Sequence, residues 1–349
     1  MIYIGTDNGI YRWLSGVSWP VFHSLQDHRV VGLAAGSAGT MVALDGEGRV
    51  WETTSSGLSW RELARPSETA RPTAIGLFAA KRPTMLLACA GPLELHARRV
   101  GVVLPEEVPE PLSTRALKRI LPRRKTAEAT ATLERPKRAV AGGWKSLAVP
   151  DASLAGRLNG MHVLAVSDDQ SPWFVSITGD GLWRSEDAGA NWSRCAGLAS
   201  NVLAVRAAGD LVLAGTDEGV WISTDAGKTW AEQSTGLGDA RHVTAVEIRP
   251  GNTKQVLAGA GVASDGASIV RNALYESKDG GASWKQVSRG FPTDLESDTI
   301  IDIRHDPSAP ELAIAALASG ELWKTYTDGF WWEPLARQIQ NARSLCVAG

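Results

Sequence analysis

Three cysteines in 349 residues, Cys89, Cys195 and Cys346, are odd in number and far apart, which excludes a disulfide framework, and no Cys-x-x-Cys pair is available for zinc. They read as buried free thiols. Charge of either sign is not in excess: 36 Lys and Arg face 38 Asp and Glu, leaving a net charge of −2. The chain as a whole therefore carries no electrostatic signature for nucleic acid or an anionic membrane, and any basic patch has to be local. No apolar run is long enough to span a bilayer. Met1-Ile-Tyr-Ile-Gly-Thr-Asp7 starts as a strand rather than as a leader, so a cytoplasmic protein is expected. Tyrosine is scarce as well, with four in all.

Tryptophan is plentiful, and half of it is in register. Ser223-Thr-Asp225-Ala-Gly227-Lys-Thr229-Trp230 has close relatives at Ser185-Glu-Asp187-Ala-Gly189-Ala-Asn191-Trp192 and Ser277-Lys-Asp279-Gly-Gly281-Ala-Ser283-Trp284. Weaker copies run from Thr53 to Trp60, with Ser55 in place of the aspartate, and from Thr325 to Trp332, with Thr327 there. Ser18-Trp19 and Gly143-Trp144 keep only the end of the pattern. The spacing has a physical explanation that needs no ligand. The Asp accepts from backbone N–H groups further along the turn, the Gly takes a positive φ, and the Trp caps a small core between strands. The octapeptide resembles the Asp-box, or BNR repeat, of sialidases, sortilin-type receptors, xyloglucanases and photosystem II assembly-factor propellers. That resemblance implies a β-propeller; it does not select among enzymes, receptors and chaperones.

The unit from Asn201 to Leu237 sets a template of four strands with tight connections, the box joining the third to the fourth. Counting with it predicts an all-β fold, a single seven-bladed β-propeller of four-stranded antiparallel blades over residues 1–349. Blade 1 draws on 341–349 and 1–26, so that the C-terminal strand closes the ring and removes its open edges. The other blades run from Arg29 to Pro66, Thr73 to Ala148, Met161 to Leu198, Asn201 to Leu237, Arg241 to Phe291 and Asp298 to Ala336. In the sixth, Gly259 to Asn272 reads as a small loop insertion between the second and third strands.

Blade 3 departs most from the template. Its fourth strand resumes only at Trp144, after roughly forty residues where other blades have a box turn. From Val100 to Gly142 there are nine Lys or Arg against five Glu, so the basic charge is concentrated here. Ser113 caps an expected helix to Leu121 whose apolar side is Leu112, Ala116, Leu117, Ile120 and Leu121. Arg115, Lys118, Arg119, Arg123, Arg124 and Lys125 then make it a candidate contact for an acidic protein partner. Nucleic acid fits less well, because no aromatics interleave with these cations.

Candidate sites are weighed against turn chemistry. Ser185, Asp187, Gly189 and Trp192, with Ser223, Asp225, Gly227 and Trp230 and with Ser277, Asp279, Gly281 and Trp284, occupy staple positions in separate blades, on a rim away from the expected binding face. Convergence, which a metal site requires, is lacking, and no metal or cofactor is assigned. Asp7, Asp45, Asp180 and Asp217 precede the glycine of the second turn and read the same way. A polar ligand would meet residues that begin the inner strands: Arg29, His162, Asn201, Arg241, His242, Asp298 and Arg343, with Asn341 beside them. Asp302, Arg304, His305 and Asp306 form a dense ionisable run that aligns with the turn after an inner strand.

No catalytic residue is assigned. Sialidases of the resembling group carry Arg-Ile-Pro and a tyrosine nucleophile; this chain has no Arg-Ile-Pro, and Tyr11, Tyr275 and Tyr326 fall in third strands. A paired-carboxylate mechanism needs two acids about 5 to 10 Å apart, and no pair is nominated. The reading is a non-catalytic interaction scaffold or assembly factor for a protein complex. A glycoside hydrolase or a small-ligand sensor stands as the alternative.

Overall fold

The computed structural model describes residues 1–14, 20–36, 38–78, 83–90, 94–101, 143–149, 161–164, 172–177, 179–198, 201–264, 268–296, 298–336, 339 and 341–347. Seven four-stranded antiparallel sheets follow one another around a ring. Blade 5 shows the plan: Val202–Ala208 innermost, then Leu211–Thr216, Gly219–Ser223 and the outermost Ala231–Glu232. Blade 1 combines Ala342–Val347 with Ile2–Thr6, Gly9–Trp13 and Val21–Ser24. The C-terminal strand pairs antiparallel with Ile2–Thr6, Leu345 opposite Ile4, and closes the ring as expected.

Strand composition follows from being sandwiched. Second strands such as Met41–Asp45 and Ile2–Thr6 are buried at every position, because both faces of each blade meet a neighbour. Outer strands are the reverse: Lys145–Ser146, Ser193–Arg194 and Ala231–Glu232 are exposed and only two residues long, which blunts the edges they leave. The core is therefore a set of seven apolar layers, one at each blade-to-blade contact. Leu213 and Val220 of blade 5 pack with Val243 and Val256 of blade 6, and Ile314 and Leu322 of blade 7 pack with Ile2 and Trp13 of blade 1. Gly215 shows how close the approach is, since a Cβ there would lie 2.7 Å from the Val243 carbonyl oxygen.

The box tryptophans reach further than a cap within one blade. Trp144 Nε1 of blade 3 donates to Ala64 O of blade 2 at 2.7 Å, Trp192 to Ala148 O of blade 3 at 3.0 Å, and Trp284 to Gln233 O of blade 5 at 2.8 Å. Trp60 reaches Ser24 Oγ of blade 1 at 2.9 Å. Each indole thus sutures its blade to the preceding one. Trp230 turns instead to Gly227 O of its own box, and buried Trp332 Nε1 has no acceptor among the described residues.

One expectation on insertions comes out differently. Gly259 to Asn272 is not a loop: Val256–Ser264 and Ser268–Ser277 continue pairing as far as Ser264 and Ser268, so blade 6 carries a lengthened hairpin. In blade 3 the third strand, Glu94–Arg99, pairs with Lys145–Ser146 as expected. The helix predicted over Ser113 to Leu121 lies outside the described residues. No helix among the described residues is long and apolar enough to cross a membrane.

A paired substitution separates the suture from simple packing. Trp284→Phe leaves the Gln233 carbonyl without its donor, whereas Trp332→Phe removes an indole N–H that has no acceptor among the described residues. Urea unfolding should show Trp284→Phe costing more, by about 1 kcal/mol; equal losses would reduce the tryptophans to space-filling.

Candidate functional site

Where the inner strands end, on the face that carries the box turns, the ring opens into a cavity of about 570 Å³. Its two sides differ in chemistry. Blades 2 and 3 contribute Leu33, Ala34, Ala35, Ile75, Gly76 and Leu77, while blades 5 to 7 contribute Arg206, Glu247, Arg249, Arg304 and His305. The division is a matter of register. Arg206, Glu247 and Arg304 pair with Leu213, Leu257 and Ile314 at one equivalent position of three consecutive inner strands. In blades 1, 2 and 3 that position holds Cys346, Ala34 and Gly76.

The charges are spent on one another. Arg206 donates through Nε to Glu247 Oε2 and through Nη2 to Asp302 Oδ1, both at 3.0 Å. Arg304 lies 3.3 Å from Asp302 and 3.9 Å from Glu247. The other Glu247 oxygen accepts His305 N at 3.1 Å. Burial, with the Arg304 guanidinium beside it, holds Arg206 below the ordinary arginine value. In Arg304 the Asp302 and Glu247 carboxylates outweigh burial and raise it. Burial also pushes up the Cys346 thiol of the adjoining blade 1. Two cations and two anions from three blades thus form a neutral brace across the channel.

Sequence reasoning placed candidate ligand contacts at the other end, where inner strands begin. Arg29, Asn201, Arg241, Asp298 and Arg343 among them are taken up in bracing the turns. Arg343 binds both Asp7 oxygens at 2.9 Å and Arg29 binds one at 3.1 Å; the Arg343 hydrogen bonds hold the Asp7 carboxyl below its usual value. Asn201 donates to Asp217 at 2.6 Å and accepts Gly179 N at 2.9 Å. Arg241 is held by Glu218 O and Glu232, and Asp298 accepts Thr299 N and Ser319 N. His242 is half-buried, and burial holds its imidazole below the ordinary value. His162 sits opposite Ser176 in the strand Met161–Leu164. Among the described residues, Arg29 and Arg343 meet on a common partner, Asp7. Arg115, Lys118, Arg119, Arg123, Arg124 and Lys125 lie outside the described residues.

The boxes are staples, as expected, with more backbone strain than glycine alone supplies. Asp225 accepts Ser223 Oγ, Thr229 N and Thr229 Oγ1 at 2.7, 2.8 and 2.6 Å, and Ser223 Oγ accepts Gly227 N at 2.8 Å. Asp187 and Asp279 repeat the pattern. Hydrogen bonds from Asn191 hold Asp187 down to about 2, and those from Ser277 and Ser283 do the same for Asp279. Ala188, at φ 56°, and Ala226, at φ 58°, occupy the left-handed region just before the glycine, where blade 6 has Gly280. Contrary to expectation, these turns share a face with the cavity. In blade 7 Thr327 Oγ1 does the stapling and the next residue, Asp328, pairs across to Arg249 at 2.7 Å.

A serine–histidine–glutamate series occurs in blade 3, with Ser146 Oγ 3.5 Å from His96 Nδ1 and Glu94 Oε2 2.9 Å from His96 Nε2. His96 and Ser146 are cross-strand partners, with Glu94 two residues along the same strand, so the series is a sheet contact that anchors the strand resuming after the insertion. No group of three or more His, Cys, Asp or Glu that could hold a metal occurs among the described residues.

Residues 180–341 match the family model described as sortilin, neurotensin receptor 3. By sequence no curated protein matches the chain. Among solved structures, the GH74 xyloglucanase of Xanthomonas campestris superposes with a TM-score of 0.57 at 16% identity, over 94% of this chain and 47% of that one. YCF48 bound to a D1 peptide superposes with a TM-score of 0.55 at 11% identity, over 96% and 97%. YCF48 from Cyanidioschyzon merolae gives 0.51 at 11%, over 90% and 86%. The chain thus spans about half the xyloglucanase and nearly all of peptide-bound YCF48. The chain resembles the sortilin family over residues 180–341, and the likeness to the solved structures is one of fold.

Removing one anion from the brace should be costly. Glu247→Gln leaves Arg206 and Arg304 to share Asp302, with an expected loss of roughly 3–5 kcal/mol. Adding Arg206→Met should recover part of that loss in denaturant titrations, and strictly additive losses would show that the four side chains do not act together. His305 supplies a pH test. Burial, the main influence, holds its imidazole below the ordinary value while Nδ1 donates to Pro310 O at 2.9 Å. The folded state therefore resists a proton that the unfolded chain accepts. The contribution is complete above about pH 6.5 and drains away as pH falls toward the folded value. Thermal melts between pH 7.5 and 5 should fall less steeply for His305→Gln than for the parent.

Proposed function

We infer that the chain is a non-catalytic Asp-box propeller that serves as a protein-interaction scaffold or assembly factor in a larger complex. The observation that carries this reading is the state of the channel brace: Glu247, which lines the cavity, and Asp302 beside it are already held by the Arg206 and Arg304 guanidinium groups. A glycosidase needs one carboxyl free to deliver a proton and another free to reach the sugar. Peptide-bound YCF48, matched over nearly its whole length, adds support for a protein ligand.

The basic insertion of residues 100–142 is the contact we assign to the partner, through Arg115, Lys118, Arg119, Arg123, Arg124 and Lys125. Its flanking residues Gly101 and Gly143 stand where other blades make a box turn, on the face where the cavity opens. The three cysteines are buried free thiols, and burial pushes Cys89 up to about 12 and Cys195 up to about 11. Inert thiols without a disulfide fit a reducing compartment, the cytoplasm.

Affinity purification from the native host tests the reading. The full chain should retain a protein partner and a variant lacking residues 102–142 should lose it, with unchanged circular dichroism. Equal recovery by both would remove the insertion as the contact. Turnover of a xyloglucan oligosaccharide or a chromogenic sialoside that disappears in Asp302→Asn would establish the glycoside hydrolase instead.

A further inference from the structure

Blade 7 breaks its own template at one place. The two residues before the box tryptophan are Ala190-Asn191, Lys228-Thr229 and Ala282-Ser283 in blades 4, 5 and 6, but Phe330-Trp331 in blade 7. These two aromatics are 61% and 55% exposed. The turn does not need them, since Thr327 Oγ1 accepts Trp331 N at 2.9 Å and buried Trp332 fills the core. The Arg289 guanidinium lies over the Phe330 ring, 4.2 Å from its centroid.

Between this loop and blade 6 lies a groove of about 260 Å³, lined along one side by the consecutive run Lys285 to Arg289. The carboxylates beside it are engaged, Glu276 with Lys278 at 3.7 Å and Asp328 with Arg249 at 2.7 Å. Lys285 and Arg289 are exposed and form no ion pair among the described residues. The strand Lys285–Gln286 pairs on one side only, with the third strand, and Val287 N donates inward to Leu274 O at 2.8 Å. By strand alternation, the amides and carbonyls of Gln286 and Ser288 then face away from the sheet. A free β edge, two cations outside any ion pair among the described residues and the Phe330 ring share one groove, with Trp331 the next residue along.

We propose that this groove docks an extended acidic segment of a protein partner. The segment runs beside residues 285–289, sets its carboxylates against Lys285 and Arg289, and rests an apolar side chain on Phe330 and Trp331. The open strand edge selects a polypeptide over a sugar or a lipid surface, because only a polypeptide carries alternating donors and acceptors to pair with it. The proposal rests on the protein-binding reading above but concerns a different surface from the insertion.

A random dodecapeptide library displayed on phage, selected against the full chain, supplies the probe. Enriched peptides should be acidic and carry a large apolar residue. They should bind Lys285→Glu/Arg289→Glu and Phe330→Ser/Trp331→Ser at least tenfold more weakly than the parent, and bind Leu58→Ser, altered at an exposed box residue of blade 2, as well as the parent. All five positions are exposed, and matching thermal melts verify the folds. Replacing Glu by Lys in the peptide should restore binding to the charge-reversed variant. Failure to enrich, enrichment without acidic residues, or equal binding to parent and groove variants overturns the proposal. So does parent binding to phosphatidylserine vesicles or to a xyloglucan heptasaccharide that the groove substitutions abolish while peptides do not bind. If the host partner is lost on deleting 102–142 yet the parent and groove variants bind the selected peptides equally, the scaffold reading stands without the groove. Groove-dependent peptides with no host partner recovered leave the groove standing without the scaffold.

Discussion

Each blade is held to the next by an apolar layer that neither could bury alone. Four strands offer two apolar faces, and an isolated blade would leave both in water. Stacking covers one face per contact, and only a closed ring covers them all, which is why seven clusters serve seven blades. Pairing of Ala342–Val347 with Ile2–Thr6 therefore matters beyond its own hydrogen bonds: it brings Leu345 and Ile4 into the layer with blade 7. The indole N–H bonds run across the same contacts, so most of the box tryptophans tie the ring together as well as closing their turns.

Closing a ring leaves a channel, and its lining is where the blades stop being equivalent. Small side chains at one register in blades 1 to 3 keep the wall apolar, and alternating charges at that register in blades 5 to 7 cross-link three strands. Burying four charges stabilises little in itself, because desolvation offsets most of the attraction. What it supplies is specificity, since Arg206 is satisfied only when blades 5, 6 and 7 stand in their correct order.

The blade count, the closure and the staple role of the boxes were legible because each rests on local pattern: alternation, a turn glycine and an in-register tryptophan. The channel brace was not, for a specific reason. Asp302 and Arg304 were read along the chain, where they precede a turn, whereas their meaning lies across it. Placing Arg206, Glu247 and Arg304 at one position of the aligned units would have exposed the charges, but that position is visible only once the bulge preceding it in each inner strand is known. Arg29, Asn201, Arg241 and Arg343 were rightly placed at the start of inner strands, yet sequence could not show that neighbouring turns already occupy them. The hairpin of blade 6 was misjudged because Gly259 and Gly261 read as loop. A Cβ at Gly259 would lie 2.7 Å from Ile300 Cβ, so that glycine marks close blade packing within a strand.

The most informative boxes are those that fail to repeat. An intact box spends its Asp, Ser and Trp on its own turn and on the preceding blade, which leaves little for a partner. In blade 7 a threonine takes over the stapling, the neighbouring aspartate is released to hold Arg249, and two aromatics with no part in the fold stand in solvent. Arg249 bound to Asp328 also links the cavity mouth to this loop, so a segment docked against Phe330 sits one ion pair away from the channel. Gly101 and Gly143, which flank the insertion of blade 3, and the aromatic box of blade 7 lie on the same face of the ring. That face, rather than the end where inner strands begin, is the one the fold leaves with chemistry to spare.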